Sequence, residues 1–247
     1  MVEIQNVAGD YYLKALDKVY MDLYNTKDNS IPQKTVLLIL ELLIIGISYW
    51  ILLAEGYNQL FSSDSPVHGN EMRHMILFTF NLIVFFRMCI TIFYFVKRHI
   101  PWEEAFSIPV AFTVYYIGFA LLGYKVTSGI ELVDIFGITL FLIGSFLNTG
   151  SELLRDKWKK NSANKGKLYT VGFFKYSMHI NYFGDVLWVM GYALVTRNWY
   201  SIVIPILLFC FFTLYNIPKL DNYLASRYGQ QFAEYRRITK KLVPFIY

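Results

Sequence analysis

The polar stretch that decides the fold separates two long apolar runs of the chain. It reads Asn148-Thr-Gly-Ser-Glu-Leu-Leu-Arg-Asp-Lys-Trp-Lys-Lys160 and, after a polar link, Gly166-Lys-Leu-Tyr-Thr-Val-Gly-Phe-Phe-Lys-Tyr-Ser-Met-His-Ile-Asn-Tyr-Phe-Gly-Asp185. At helical spacing, one face of its first part carries an amide, a carboxylate and two cations: Asn148, Glu152, Arg155 and Lys159. Such a face suits an anionic, hydrogen-bonding ligand such as a nucleotide at the edge of a membrane. The same residues are equally compatible with an ordinary basic loop that faces the cytosol.

The composition is that of a polytopic membrane protein. Of the 247 residues, 55% are hydrophobic and only 17% are charged, which is too apolar for an ordinary soluble domain. The net charge of +5 does not indicate nucleic acid, because the cations are segregated into alternate loops, as in membrane proteins. Cys89 and Cys210 lie inside apolar runs, so we predict neither a disulfide framework nor a metal site.

Six apolar runs are candidates for membrane-spanning helices, since about 20 helical residues cross about 30 Å of hydrocarbon. Nineteen lysines and arginines fall on one side of this arrangement and three on the other. The sequence therefore predicts an all-α, polytopic transmembrane bundle of about six spans with both termini in the cytosol. Residues 1–34 would form a cytosolic N-terminal segment, and residues 35–247 one membrane-embedded domain. The runs are residues 35–54, 75–96, 106–124, 130–148, 183–195 and 200–217, of which the fifth is short.

Two ionisable residues lie well inside the first and second predicted spans. Glu41 is in the first span, where a carboxylate costs about 2.5–3.5 kcal/mol on insertion scales, so it should face the bundle interior and have a role. Arg87 is in the second span, where a guanidinium suits a phosphate or a buried acid. The alternatives are that Glu41 only pairs with Arg87 for packing, and that Arg87 extends to the inner interface.

The start of the fifth apolar run carries a second polar cluster. Asn181 and Asp185 flank an aromatic pair and Gly184, and a helix N-terminus offers free N–H groups to a ligand. An N-cap within a belt of interfacial aromatic residues is the alternative interpretation. Residues 228–247 are amphipathic with aromatic anchors, so we expect a C-terminal interfacial helix along the inner membrane surface.

Four motifs in order resemble the membrane-embedded steroid 5-alpha-reductase family, including its bacterial-type members. The similarity covers most of the chain from Met75 onward. Sterol-ring reductases and isoprenylcysteine carboxyl methyltransferases share the same fold more distantly. The motifs are Asn148-x-x-Ser151-Glu152, Gly166-x-Leu168-Tyr169-x-x-Gly172-x-Phe174, Asn181-Tyr182-Phe183-Gly184-Asp185 and the terminal Pro244-Phe245-Ile246-Tyr247.

The resemblance implies an NADPH-dependent reductase with a cytosol-facing cofactor cavity in the bundle. It places Glu41 where the family carries the intramembrane glutamate that holds the substrate carbonyl. No tyrosine of the sequence is an unambiguous partner for that glutamate. If Glu41 were only structural, the role of proton donor would pass to a tyrosine, and Tyr49 and Tyr94 are the first to examine. By matching motif positions, the residues expected to contact the cofactor are Arg87, Asn148, Glu152, Asn181 and Tyr223. The polar helix face and the polar cluster described above add three more candidates: Arg155, Lys159 and Asp185.

The chain departs from the family pattern at two places that concern the substrate more than the cofactor. Before Asn181, it has Met178-His179-Ile180 where many relatives have Arg-His-Pro, and it has Lys219 near a histidine of the steroid reductases. The expected activity is therefore reduction of a carbon–carbon double bond conjugated to a carbonyl in a lipid, steroid-like or otherwise isoprenoid or enoyl. Two alternatives remain open: a membrane methyltransferase that uses S-adenosylmethionine, and a non-enzymatic lipid-binding or scaffolding protein.

Overall fold

The computed structural model describes residues 28–61 and 65–247. Most of the predicted N-terminal segment, residues 1–34, therefore lies outside the described residues. The described chain is an all-helical bundle, which confirms the predicted fold class. Its helices are α1 (Ile31–Leu53), α2 (Gly56–Phe61), α3 (Glu71–Phe95), α4 (Trp102–Gly123), α5 (Leu132–Lys159), α6 (Ile180–Val195), α7 (Trp199–Tyr228) and α8 (Gln230–Ile238).

Five of these helices are long and apolar enough to cross a membrane, namely α1, α3, α4, α5 and α7. The sixth candidate, α6, is apolar but has only 16 residues, as its short apolar run predicted. Two helices continue past the predicted ends of their spans. Hydropathy indicates which residues lie in the hydrocarbon of the membrane, but it does not indicate where the helix ends. Helix α5 runs beyond residue 148 to Lys159, and α7 runs beyond residue 217 to Tyr228.

The buried face of α1 follows helical spacing. Pro32 fits in the first turn, where a backbone N–H has no partner within the helix. Opposite the buried face, large apolar side chains such as Leu43 are exposed, as expected for a surface that meets lipid. The buried residues recur every three or four positions and include both charged side chains of the helix: Lys34, Leu37, Glu41, Ile45 and Ser48.

Glycines bring α5 and α6 into direct backbone contact. A Cβ added at Gly144 would lie 2.6 Å from the carbonyl oxygen of Gly184. Two helical turns away, a Cβ at Gly137 would lie 2.9 Å from the carbonyl oxygen of Gly191. Small residues at such crossings set how closely two membrane helices approach. This contact holds the polar residues of α5 against those at the start of α6.

Aromatic residues fill the middle of the bundle. The rings of Phe80 on α3 and Phe141 on α5 stack with centroids 3.7 Å apart. Tyr192 of α6 stacks on Phe119 at 4.6 Å, and its hydroxyl donates to the side-chain oxygen of Asn81. The buried polar groups of this core are therefore satisfied by one another, as low-dielectric surroundings require.

A buried ion pair joins the helices at the end of the bundle opposite the polar stretch, which we call the far end. Arg73 of α3 pairs with Asp134 of α5, and both side chains are fully buried. The same guanidinium donates to the carbonyl of Val195 at 2.6 Å and to those of Ser128 and Gly129 at 3.1 and 3.0 Å. These hydrogen bonds offset the cost of burying the charges. Arg73, one of the three cations counted on this side, is thus a structural group and not a free loop cation.

The C-terminal segment packs on the loop that precedes α6. The backbone N–H of Met178 donates to the carbonyl of Lys240 at 2.8 Å. The hydroxyl of Tyr235 donates to the carbonyl of Phe174 at 2.6 Å. Burial raises the pKa of Tyr235, so this phenol stays protonated and keeps its role as donor. The predicted C-terminal helix is present as α8, and it is fixed to the polar stretch.

Candidate functional site

A cavity of about 570 Å³ opens where the polar stretch meets the bundle. One wall comes from α5 and α6 and is polar, and the other comes from α4 and α7 and is mainly apolar. The C-terminal half of α3 and the three residues after it close the remaining side. The polar and charged lining residues are Arg87, Lys97, Arg98, Asn148, Glu152, Arg155, Asn181 and Asp185.

Arg87 is the centre of the polar wall. Its guanidinium donates to the side-chain oxygen of Asn148 at 2.7 Å, to Ser145 Oγ at 3.0 Å and to Thr149 Oγ1 at 3.1 Å. It lies 3.7 Å from the Asp185 carboxylate. Arg87 therefore connects α3 to α5 and α6 inside the bundle, and it neither extends to the interface nor pairs with Glu41 among the described residues.

The amides and carboxylates of the polar wall hold one another in place. The Asn148 amide donates to the backbone carbonyl of Asn181 at 3.3 Å, a contact that the glycine crossing makes possible. Glu152 pairs with Arg155 through one carboxylate oxygen. The other oxygen of Glu152 is buried and has no hydrogen-bond partner among the described residues. An acceptor left without a donor is where a ligand hydroxyl or amide would bind.

Two cations at the cavity rim were not singled out in the sequence. Lys97 and Arg98 follow α3, and both line the cavity. Lys97 lies 3.2 Å from Asp156, and Arg98 lies 2.7 Å from Glu104. In the sequence they were counted only as loop cations. Their place directly after the span that carries Arg87 was the observation that could have assigned them to the same site. With Arg155, they make the rim basic.

Three helices carry a π-helical turn, and each such turn borders the cavity. A π turn inserts one residue into a helix and frequently marks a functional site, because it redirects side chains and frees backbone groups. In α7 the π turn is followed by Pro218, which has no N–H to give to a regular helix. The turns are Thr91–Phe95, Val114–Gly118 and Phe212–Asn216, and their lining residues are Thr91, Phe95, Tyr115 and Phe212.

Glu41 lies behind the cavity wall and does not line it. The carboxyl is fully buried, and one oxygen accepts a hydrogen bond from the hydroxyl of Tyr116 at 3.4 Å. The second oxygen has no partner among the described residues. The residue before Tyr116, Tyr115, does line the cavity, as does Phe112, whose ring contacts that of Tyr116. The structure thus supplies a tyrosine partner for Glu41 from α4.

The two tyrosines considered first from the sequence lie elsewhere. Tyr49 is about half exposed on the outer face of α1. The hydroxyl of Tyr94 accepts a hydrogen bond from Lys160 at 2.6 Å. Tyr116 was missed because its contact with Glu41 joins two helices that are far apart in sequence. Its position on the buried face of α4 was the available signal.

Two of the predicted cofactor contacts lie outside the main cavity. Lys159 lines a smaller neighbouring cavity of about 60 Å³, which shares Arg155 and Asn181 with the main one. The hydroxyl of Tyr223 accepts a hydrogen bond from Arg227 on the surface of α7. The remaining predicted residues do meet at the cavity: Arg87, Asn148, Glu152, Arg155, Asn181 and Asp185.

Fold and site together define a multi-pass membrane protein with a polar ligand cavity at one end of its helix bundle. The model of the family described as "Protein of unknown function (DUF1295)" matches residues 105–240, more than half of the chain. The chain belongs to this steroid 5-alpha-reductase-like family, which confirms the resemblance of its motifs.

Three similar proteins illustrate the range of the family's relatives. The 3-oxo-5-alpha-steroid 4-dehydrogenase 2 of Rattus norvegicus is 30% identical over 112 residues, which are 45% of this chain and 42% of that protein. Its counterpart in Homo sapiens is 29% identical over 111 residues, with the same two shares. A probable O-methyltransferase, ustE, of Ustilaginoidea virens is 34% identical over 92 residues, 37% of this chain and 32% of that protein. The similarity thus spans less than half the length of each of these relatives.

Proposed function

We propose that this chain is an NADPH-dependent membrane oxidoreductase that acts on a lipid. Its reaction would be the reduction of a carbon–carbon double bond conjugated to a carbonyl group. The observation that carries the proposal is the cavity, in which a wall of amides, carboxylates and cations faces an apolar wall. Two of the relatives are named as dehydrogenases of 3-oxo-steroids, which supports the same class of reaction here.

The polar wall matches the chemistry of a phosphorylated dinucleotide. Guanidinium and ammonium groups of the rim would hold phosphates, for which Arg155, Lys97 and Arg98 are placed. The unpaired oxygen of Glu152 would accept a hydrogen bond from a ribose hydroxyl or a carboxamide. The amides of Asn148 and Asn181 offer donors and acceptors to the same groups. Asp185, Lys159 and Tyr223 would contribute at the edges of this site.

The buried pair of Glu41 and Tyr116 would hold the carbonyl oxygen of the lipid substrate. Bound NADPH supplies a hydride, and the residues of the chain must stabilise the charge that builds on that oxygen. A phenol and a carboxyl in a dry site do so strongly, because water does not compete. For the substrate to reach them, Phe112 and Tyr115 would move aside, which the π turn of α4 favours.

Charge distribution supports an orientation with the cavity and both termini on the cytosolic side. The segments predicted from the sequence to be cytosolic hold nineteen lysines and arginines, whereas those on the opposite side hold three. The positive-inside rule assigns the richer side to the cytosol. The cofactor would then bind from the cytosol, and the lipid would come from the surrounding bilayer.

A second candidate function is methyl transfer from S-adenosylmethionine. The observation in its favour is the similarity to the probable O-methyltransferase ustE. Against it, the C-terminal segment has Lys219-Leu220-Asp221 where the isoprenylcysteine carboxyl methyltransferases have paired glutamates. The Asp221 carboxylate is also engaged, because it lies 2.9 Å from the His179 imidazole.

Thermal unfolding with each cofactor tests the proposal. A ligand that binds only the folded state stabilises it by about 2.7 kcal/mol at a hundredfold excess over its dissociation constant. We expect NADPH to raise the melting temperature of the purified full chain and NADH to raise it less, because the basic rim favours the additional phosphate. A shift with S-adenosylmethionine alone would assign the chain to methyl transfer, and no shift with either cofactor would support a non-enzymatic role.

A further inference from the structure

The C-terminal segment and the loop before α6 form a basic and apolar surface beside the cavity, which we call the platform. Its cations are exposed, except for Lys241, which is half-buried. They are Lys175, Arg236, Arg237, Lys240 and Lys241. Apolar side chains stand among them, and Ile238, Phe245 and Ile246 are each about three-quarters exposed. The nearby acid, Glu234, accepts a hydrogen bond from Gln230.

The backbone conformation of Phe245 indicates that the fold holds its side chain in the exposed position. Phe245 has φ of 66°, a left-handed conformation that a bulky residue adopts only at an energetic cost. The turn is closed by backbone hydrogen bonds from Ile246 and Tyr247 to the carbonyl of Val243. The Phe245 ring packs on Tyr176 at 5.5 Å, which joins the two halves of the platform. The chain thus holds an aromatic side chain outward, as an anchor in a lipid interface requires.

We propose that the platform binds anionic phospholipid headgroups of the leaflet on the cavity side. Exposed aromatic and aliphatic side chains enter the interface, and the surrounding cations meet the negative headgroups. The described residues of the platform include five cationic side chains and one acidic side chain, Glu234, a balance that suits an anionic headgroup better than a zwitterionic one. Each lysine or arginine close to an anionic surface strengthens such binding about fivefold.

Hydrogen bonds connect the platform to the loop before α6 and, through that loop, to the cavity. The N–H of His179 donates to the carbonyl of Lys241 at 3.1 Å, and Ser177 Oγ donates to the carbonyl of Leu242 at 2.7 Å. The His179 imidazole lies 2.9 Å from Asp221 on α7. Two residues further along the chain, Asn181 lines the cavity. Anionic lipid that orders the platform would therefore also position Asn181, and tighten binding of the cofactor.

The lipid contact is tested without any cofactor by thermal unfolding of the full chain in detergent with added phosphatidylglycerol or phosphatidylcholine. We expect phosphatidylglycerol to give the higher melting temperature with the parent. The triple variant R236Q/R237Q/K240Q should lose this difference. Its matched control, K157Q/K165Q/K167Q, removes three exposed cations from the same end of the bundle and should retain it. Equal loss in both variants, or retention in R236Q/R237Q/K240Q, would overturn the proposal.

A second variant separates the apolar part of the platform from its charge. Phe245→Gly removes the anchor, and glycine adopts the positive φ without strain, so the chain should fold. We expect a smaller preference for phosphatidylglycerol than in the parent, and an unchanged preference would count against the platform.

The coupling to the cavity rests on the proposed function and is measured separately. In nanodiscs that contain phosphatidylglycerol, the parent should bind NADPH about fivefold or more tightly than in phosphatidylcholine alone. R236Q/R237Q/K240Q should show no such dependence. A lipid-dependent melting temperature without any binding of NADPH would leave the platform intact and reject the proposed cofactor. Binding of NADPH that ignores the lipid would reject the coupling.

Discussion

Glu41 shows how much the role of a single residue depends on its neighbours. The carboxyl lies in the middle of an apolar helix; one of its oxygens accepts a long hydrogen bond from Tyr116, and the other has no partner among the described residues. A buried acceptor without a donor costs about 1–3 kcal/mol, so the site is costly unless a ligand completes it. Packing alone therefore does not explain Glu41, and under the proposed function its carboxyl, when protonated, would donate a hydrogen bond to the substrate carbonyl.

Glu41→Gln should abolish most of the proposed activity and leave folding and cofactor binding intact. The amide keeps the shape but offers no acidic proton, so we expect turnover to fall about a hundredfold or more. Tyr116→Phe should lower turnover in the same direction, whereas the control Tyr49→Phe, on the outer face of α1, should not. The measurement is oxidation of NADPH by the purified chain with a 3-oxo-4-ene steroid as trial substrate. Parental turnover in Glu41→Gln would show that Glu41 is structural.

Arg87→Ala should weaken cofactor binding first. The side chain makes three hydrogen bonds to α5 and is the deepest cation of the cavity, so its loss removes a contact and leaves Asp185 without its cation. We expect the dissociation constant for NADPH to rise by about tenfold or more, as for a lost charge-assisted hydrogen bond. Arg98→Ala, at the rim, should have a smaller effect. An effect of Arg87→Ala no larger than that of Arg98→Ala would show that Arg87 serves mainly to join the helices.

At the scale of elements, the contact between α5 and α6 positions the polar wall. The two helices approach so closely that glycine is required at each crossing. Asn148 and Asn181 lie just beyond this contact, and their hydrogen bond depends on it. The polar wall thus stands on regular helices, whereas the three π turns, in α3, α4 and α7, border the other sides of the cavity.

Gly144→Ala should destabilise the bundle and weaken NADPH binding together. The new methyl group would lie 2.6 Å from the Gly184 carbonyl oxygen, so the helices must separate, at a cost of about 1–3 kcal/mol. The matched control is Gly46→Ala on α1, where no atom lies within 4 Å and alanine favours the helix. Unfolding in detergent and titration with NADPH measure the two effects. Equal stability of the two variants would contradict the role assigned to the crossing.

At the scale of the whole molecule, the two ends of the bundle use charge differently. The far end contains the buried pair of Arg73 and Asp134, which joins α3, α5 and α6. The cavity end displays its charge around an open site.

Reporters fused to the two termini should both be active in the cytosol. The expectation follows from the excess of lysine and arginine at the cavity end. A reporter inserted at Ser128, in the far-end loop, is the matched control and should be inactive there. Activity from only one terminus would exclude an even number of spans.

Hydropathy and charge were sufficient to predict the spans, since transfer of apolar side chains into lipid depends on composition along the chain and little on tertiary contacts. For the same reason Glu41 and Arg87 could be identified as costly, and the spacing of Asn148, Glu152 and Arg155 placed them on one helix face that lines the cavity. The extension of α5 to Lys159 was outside the reach of hydropathy, because a helix can continue into water.

Which side chains pair with one another across the bundle depends on the tertiary structure. Tyr116 meets Glu41 and Arg73 meets Asp134 through contacts between helices that are distant in sequence. Local spacing carries no information about which helix faces which. Glycines set the distance between α5 and α6, and the need for glycine at these positions is visible only in the packed helices. Sequence alone thus determined that the chain crosses a membrane and which polar residues need a role, whereas packing decided which of them meet at one cavity.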